Sequence, residues 1–509
     1  MRLSDVLRTV LTDARRRPAD LVPFYVFGLA VPVIARVVLL MGLVVLWLYL
    51  EVTDGIATIA SGLETAGLEP PDPEESPAAF DQWTYDVVAA LEPLASPEVI
   101  LLLAVTISGT VLFAMVLGAV AAAGQLATCD GRLRGGRGLP AGIRGARRFW
   151  IRFLGLYLLE LLLWLIVVTA VLTVAALLGG LIWLVSGEPI AGLLVGVLVL
   201  PLAVPPLAAV RAVFAFAPVS VVVDDAGILG SIRGTFGFLR SRPLHAIVYY
   251  VIAVGSLGAL ATVSSIFFVV GGESFFSLLQ AIVLLPLLDL SKTGMFLGYR
   301  GRLGAPRPVE RGLLGQVRAG LRRGWVELRE FVPATPGSHA LSLGALLVGF
   351  WMGWVAIEPF LDVFETSIRE RLAFHIPPTA AMEFFGNNWL VALGTGFAGL
   401  ALAIPALSAI WFNGVFFGAI GRTEVAPAEL LAFVIPHGIF EIPAIVIAGA
   451  VGVWLGRVGW RGLSGRADAE TVADAMERAF WVLVGVGYLL LIAALIEGFV
   501  SPYYWRPFL

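Results

Sequence analysis

Between Leu21 and Leu50 the only charged side chain is Arg36, and long apolar runs of this kind recur through the rest of the chain. That recurrence constrains the fold more than any motif does. About 20 apolar residues suffice to cross the hydrocarbon core of a bilayer as a helix. Lipid offers the backbone no hydrogen-bond partners, so each run must satisfy its own N–H and C=O groups. Composition agrees: 59% of the 509 residues are hydrophobic, 14% are charged, and mean hydropathy is +0.91. Soluble domains carry about 25% charged residues, so this chain takes lipid as its solvent. The expected fold is all-α, a polytopic integral membrane protein with about eleven transmembrane helices in two fused bundles. The runs fall at about 21–50, 100–126, 153–185, 191–210, 246–270 and 275–296, then at 341–359, 389–404, 406–421, 429–456 and 480–500.

Charge placement orients these runs. Arg132 to Arg152, Arg300 to Arg329 and Arg457 to Arg478 are arginine-rich connections, which positive-inside logic makes cytoplasmic. Glu51 to Glu98 holds no Lys or Arg, and its P-P-D-P-E-E-S-P core predicts a flexible outer loop. The N-terminus is then cytoplasmic and the C-terminus outside, in a plasma membrane. The first run is too long for a signal-peptide core and should remain as a helix. Residues 1–298 form a six-helix bundle on this reading. Residues 299–338 form an Arg-rich amphipathic linker, and residues 339–509 form a second bundle. Arg36 should snorkel or pair with Glu160 or Asp289, and Asp289 and Lys292 are spaced to neutralise each other. Cys129 is the only cysteine, which excludes an internal disulfide. A net charge of -3 with no basic recognition surface excludes a nucleic-acid partner.

The most unusual stretch runs from Phe384 to Gly456. Within its apolar sequence stand Asn387, Asn388, Asn413, His437 and Glu441, and Glu497 follows in the last run. His437 and Glu441 are four apart and share a helix face. Pro436 and Pro443 bracket them, which predicts a broken helix. An unpaired charge at the centre of a span costs about 2.5–3.5 kcal/mol, so His437, Glu441 and Asn413 or Glu497 should lie within direct or one-water reach. Compared with H-E-x-x-H, the sequence HGIFE lacks the second histidine and reverses the glutamate, so neither metal nor cofactor is expected. No G-x-S-x-G and no G-x-x-x-x-G-K-[ST] occurs. Three readings of the polar cluster stay open: a structural lock between short helices, a broken-helix transport site for a small solute or lipid, and an intramembrane metallohydrolase.

N-N-W-L-V-A-L, N-G-V-F-F-G, H-G-I-F-E-I-P-A-I and I-A-A-L-I-E-G-F, spread over about 324–502, resemble the stage II sporulation protein M family. The resemblance implies a membrane component of machinery that remodels peptidoglycan during engulfment, acting with partner hydrolases and without chemistry of its own. It therefore implies a scaffold that recruits or organises envelope partners. The stretch around Phe214 to His245 resembles, more loosely, six-helix membrane domains of the kind attached to glycerophosphodiester phosphodiesterases. It implies no activity here, because the catalytic domain has no counterpart in this chain.

Overall fold

The computed structural model describes residues 2–67, 70–305, 309, 311–358, 361 and 365–507. Helix α1 (Leu3–Arg16) leads into α2 (Val22–Val52), and two shorter helices follow, α3 (Gly55–Ala66) and α4 (Pro77–Ala90). The segment predicted as a flexible outer loop is thus largely helical. Trp83 donates to the carbonyl of Gly67, tying the second short helix back to the end of the first.

The chain continues through α5 (Pro97–Leu133), α6 (Gly138–Ser186), α7 (Pro189–Val199), α8 (Val204–Asp224), α9 (Ile228–Ser241) and α10 (Pro243–Val270). Next come α11 (Glu273–Leu279) and α12 (Leu285–Tyr299), joined by one wider helical turn at Gln280–Leu284. Then follow α13 (Leu313–Ala334), α14 (Pro336–Ala356), α15 (Ile368–Arg371), α16 (Pro377–Ala398), α17 (Ile404–Thr423), α18 (Pro427–Leu463) and α19 (Ala469–Phe499). Among the described residues the only β pairing is an isolated bridge between Thr366 and Glu424.

Among the described residues ten helices, α7–α8 and α11–α12 each counting as one, are long and apolar enough to span a membrane. The eleventh expected span, 389–404, covers the second half of α16 and the turn after it, and α16 is not among those ten. That helix starts earlier, at Pro377, and carries Glu383, Asn387 and Asn388. Pro377 and Pro378 separate it from α15. They open the helix, where a missing N–H leaves nothing unpaired.

The arginine-rich connections meet at one end of the molecule. Asp20 accepts from the N–H groups of Gly138 (2.7 Å) and Leu139 (3.0 Å), capping α6. Arg137 reaches Asp474 at 2.6 Å and Arg144 reaches Glu470 at 3.0 Å, so α6 is tied to α19. Arg148 and Arg152 both bind Asp225, whose carboxyl they hold below the usual carboxylate range, the Arg152 hydrogen bond being the larger cause. Arg36 is exposed on α2 and has no ion pair among the described residues. Its expected partners are taken: Glu160 holds Arg211 (3.1 Å), while Asp289 holds Lys292 (2.8 Å) and accepts from Tyr25 (2.9 Å).

The core crosses the expected linker. Phe24, Val26, Ala30 and Ile34 of α2 and Leu139 and Ile143 of α6 belong to one buried cluster with Phe397 of α16, Ala448 and Val451 of α18 and Val482 and Leu483 of α19. The linker helix α13 packs on α19 as well. A Cβ on its Gly324 would lie 3.1 Å from the backbone nitrogen of Gly485, and Leu328 and Phe331 are buried.

Gly414 and Gly418 show the G-x-x-x-G spacing that allows close helix approach, and their partner is α14, which brings Gly349 and Gly353 to the same seam. A Cβ on Gly414 would stand 2.1 Å from the carbonyl oxygen of Leu346, and one on Gly418 would stand 2.0 Å from that of Phe350. The reverse distances are 2.1 Å from Gly349 to Trp411 O and 2.0 Å from Gly353 to Val415 O. With little apolar driving force between helices in lipid, contact this close is what holds such a pair together.

Candidate functional site

The helix predicted to break at Pro436 and Pro443 is continuous from Pro427 to Leu463. A proline ring crowds the carbonyl four residues earlier and leaves it without its intrahelical donor. For Pro436 that carbonyl belongs to Ala432, and the Tyr504 hydroxyl donates to it. The C-terminal tail thus repairs the defect, and the helix runs on.

The same tail covers His437. Ser501 is fully buried, its Oγ lies 3.1 Å from His437 Nδ1, and its carbonyl accepts from the Trp505 indole at 2.8 Å. Trp505 packs with Phe433, Ile368 and Leu372 in a small apolar cluster of its own. The His437 side chain is 6% exposed, and its Nε2 faces Glu441 Oε2 at 3.7 Å and Glu497 Oε1 at 4.0 Å. Asn388 donates to Glu441 Oε1 at 2.8 Å, and Asn387 donates to Asn388 at 3.2 Å. Glu497 Oε2 is buried with no hydrogen-bond partner among the described residues.

Three helices therefore bring together Asn388 (α16), His437 and Glu441 (α18) and Glu497 (α19). Glu497 is the third member the sequence argument asked for, at ion-pair distance. Asn387 is exposed and joins only through Asn388. Asn413 bonds along its own helix, donating to the Ala409 carbonyl at 3.1 Å. Ser501 is the member that sequence reasoning passed over, because a serine just past the last span gives no periodic or spacing signal. Glu383, the other carboxylate on α16, is used elsewhere: it accepts from the backbone of Ser274 (2.8 Å) and Gly272 (3.2 Å) at the start of α11.

The cluster lies toward one end of the bundle. His437 is ten residues into α18, about 15 Å from its start, and Glu497 is in the last turn of α19. Over that end sits an ordered cap. Glu424, whose side chain is 0% exposed, accepts from Ile368 N–H at 3.0 Å and pairs with Arg371 at 3.0 Å. Arg369 pairs with Glu429, and His375 Nε2 lies 2.7 Å from the Gly498 carbonyl. Removing one partner of a buried carboxylate strands the other. Arg371→Leu should therefore cost about 2 kcal/mol and make residues 365–376 the first site of proteolysis, read by limited digestion in detergent. Unchanged digestion would show that the cap does not depend on this pair.

No curated protein and no solved structure matches the chain. The segment that holds the whole cluster, residues 342–502, matches the family model of stage II sporulation protein M.

Proposed function

We propose that the chain is a non-enzymatic, multi-pass membrane protein of the stage II sporulation protein M type that organises or recruits envelope-remodelling partners. One observation supports this reading best. Polar groups in and just after the family segment hold a cap on the bundle: Ser501 on His437, Tyr504 on Ala432 and Arg371 on Glu424 each fasten a connecting piece to it. A solute path would put such groups around a passage near the midplane. Here Ser501, Tyr504 and Arg371 are spent on anchoring.

The cap presents apolar surface outward. Phe374 is 96% exposed, Ile376 two positions on is exposed, and Tyr503, whose ring lies 6.1 Å from that of His375, and Tyr504 are exposed as well. Apolar groups exposed on a surface outside the spans offer a contact for another protein when they form one patch. On the positive-inside argument the arginine-rich end is cytoplasmic, so the cap faces the envelope in a plasma membrane.

The test is a photo-crosslinking side chain at Phe374, activated in intact cells. The expected product joins the chain to an envelope protein with an extracytoplasmic domain, and Phe374→Asp should abolish co-purification of that partner while leaving the chain monodisperse. Crosslinks to lipid alone, together with solute-dependent proton movement in proteoliposomes, would replace this reading with transport.

A further inference from the structure

We propose that His437, Glu441 and Glu497 form a binding site for one divalent transition-metal ion of the zinc class. Each residue supplies one ligand atom, and these atoms lie within 4.8 Å of one another. The site is built to leave them free. Ser501 Oγ occupies His437 Nδ1, so Nε2 is the nitrogen turned to the carboxylates. Asn388 takes Glu441 Oε1, and Oε2 remains toward the histidine. Glu497 presents Oε1, and its other oxygen is buried without a partner. Bonds of this kind on the non-ligating atoms orient imidazole and carboxylate ligands in metal sites.

The contacts at the centre ask for a cation. The imidazole is more than nine-tenths buried, and its Nε2 is 3.7 Å and 4.0 Å from the two carboxylates, beyond hydrogen-bond length. Nε2 and two carboxylate oxygens thus converge on a point to which no other side chain among the described residues donates. A tetrahedral zinc ion with bonds of about 2.0–2.2 Å separates its ligands by roughly 3.3–3.5 Å, which small glutamate rotations supply. Charge also balances: a neutral imidazole, two carboxylates and one divalent ion sum to zero, which suits a site closed off from water. Nitrogen with two carboxylate oxygens favours zinc, manganese or ferrous ions over magnesium. Three protein ligands leave a fourth position open. The site stands apart from the partner-organising role, since metal content reads the trio and crosslinking at Phe374 reads the cap.

The test uses the tag-free full chain in detergent, incubated with zinc, manganese or ferrous salt, desalted, and analysed for metal per chain. The expected result is close to one ion per chain, with affinity lowered about 10–100-fold or more in Glu497→Gln and His437→Gln and unchanged in Asn413→Ala. X-ray absorption on the loaded native chain should give one nitrogen and at least two oxygens around the ion, a readout that holds even where a variant does not fold. Native protein without stoichiometric metal, variants that keep it, or a shell of oxygens alone would each overturn the assignment.

Discussion

Gly418→Leu should separate α14 from α17 and leave a chain that does not survive purification. A side chain there would begin 2.0 Å from the carbonyl oxygen of Phe350 and 2.8 Å from the backbone nitrogen of Trp354. Neither atom can turn aside as a side chain would, so the helices must part along the whole seam. Overpacking in a core costs about 1–3 kcal/mol when side chains absorb it, and backbone against backbone exceeds that range. Gly418→Ala should show the same effect at smaller size, as a lowered melting temperature. Gly421→Ala is the control, because its nearest neighbour is the Trp354 ring at 3.5 Å. Equal melting temperatures for Gly418→Ala and Gly421→Ala would contradict the seam.

The second large effect concerns the two halves. We propose residues 299–338 as the boundary between two sequence segments, and the shared core determines what cutting there does. Phe24, Val26 and Ile34 from before the boundary are buried with Phe397, Val451 and Leu483 from after it, and Arg137 and Arg144 bind Asp474 and Glu470 across it. Residues 1–305 and 309–509 produced separately should each aggregate or be degraded, since each exposes half of a close-packed face. Produced together, they should co-purify as a complex with a single melting transition. A second half that is monodisperse alone, with the melting temperature of the intact chain, would show that the contacts across the boundary add little.

Apolar length made most of the helices legible, because in lipid a run of that length must satisfy its own backbone groups. The partners of each helix were less legible. Gly414 and Gly418 announced a close approach, but nothing near them named α14 as the helix approached. Nor did the arginines of α6 reveal that their acids lie more than 300 residues away on α19. In the candidate site, His437 and Glu441 were readable from their spacing, and Glu497 from its isolation in an apolar run. The helix runs on through both prolines, and at Pro436 the freed carbonyl of Ala432 finds its donor in Tyr504, 72 residues further on, which no local pattern could show.

The dependence on Tyr504 also has an order in time. During synthesis Ala432 and His437 emerge well before the residues that complete them, by 72 and 64 positions respectively. At about 5–20 residues per second, the proline-freed carbonyl waits roughly 4–14 s for its hydroxyl. Until then α18 is inserted with a defect, and the histidine has no serine to fix its ring. The cluster is therefore completed only after the last spanning helix has been made, by residues that follow α19.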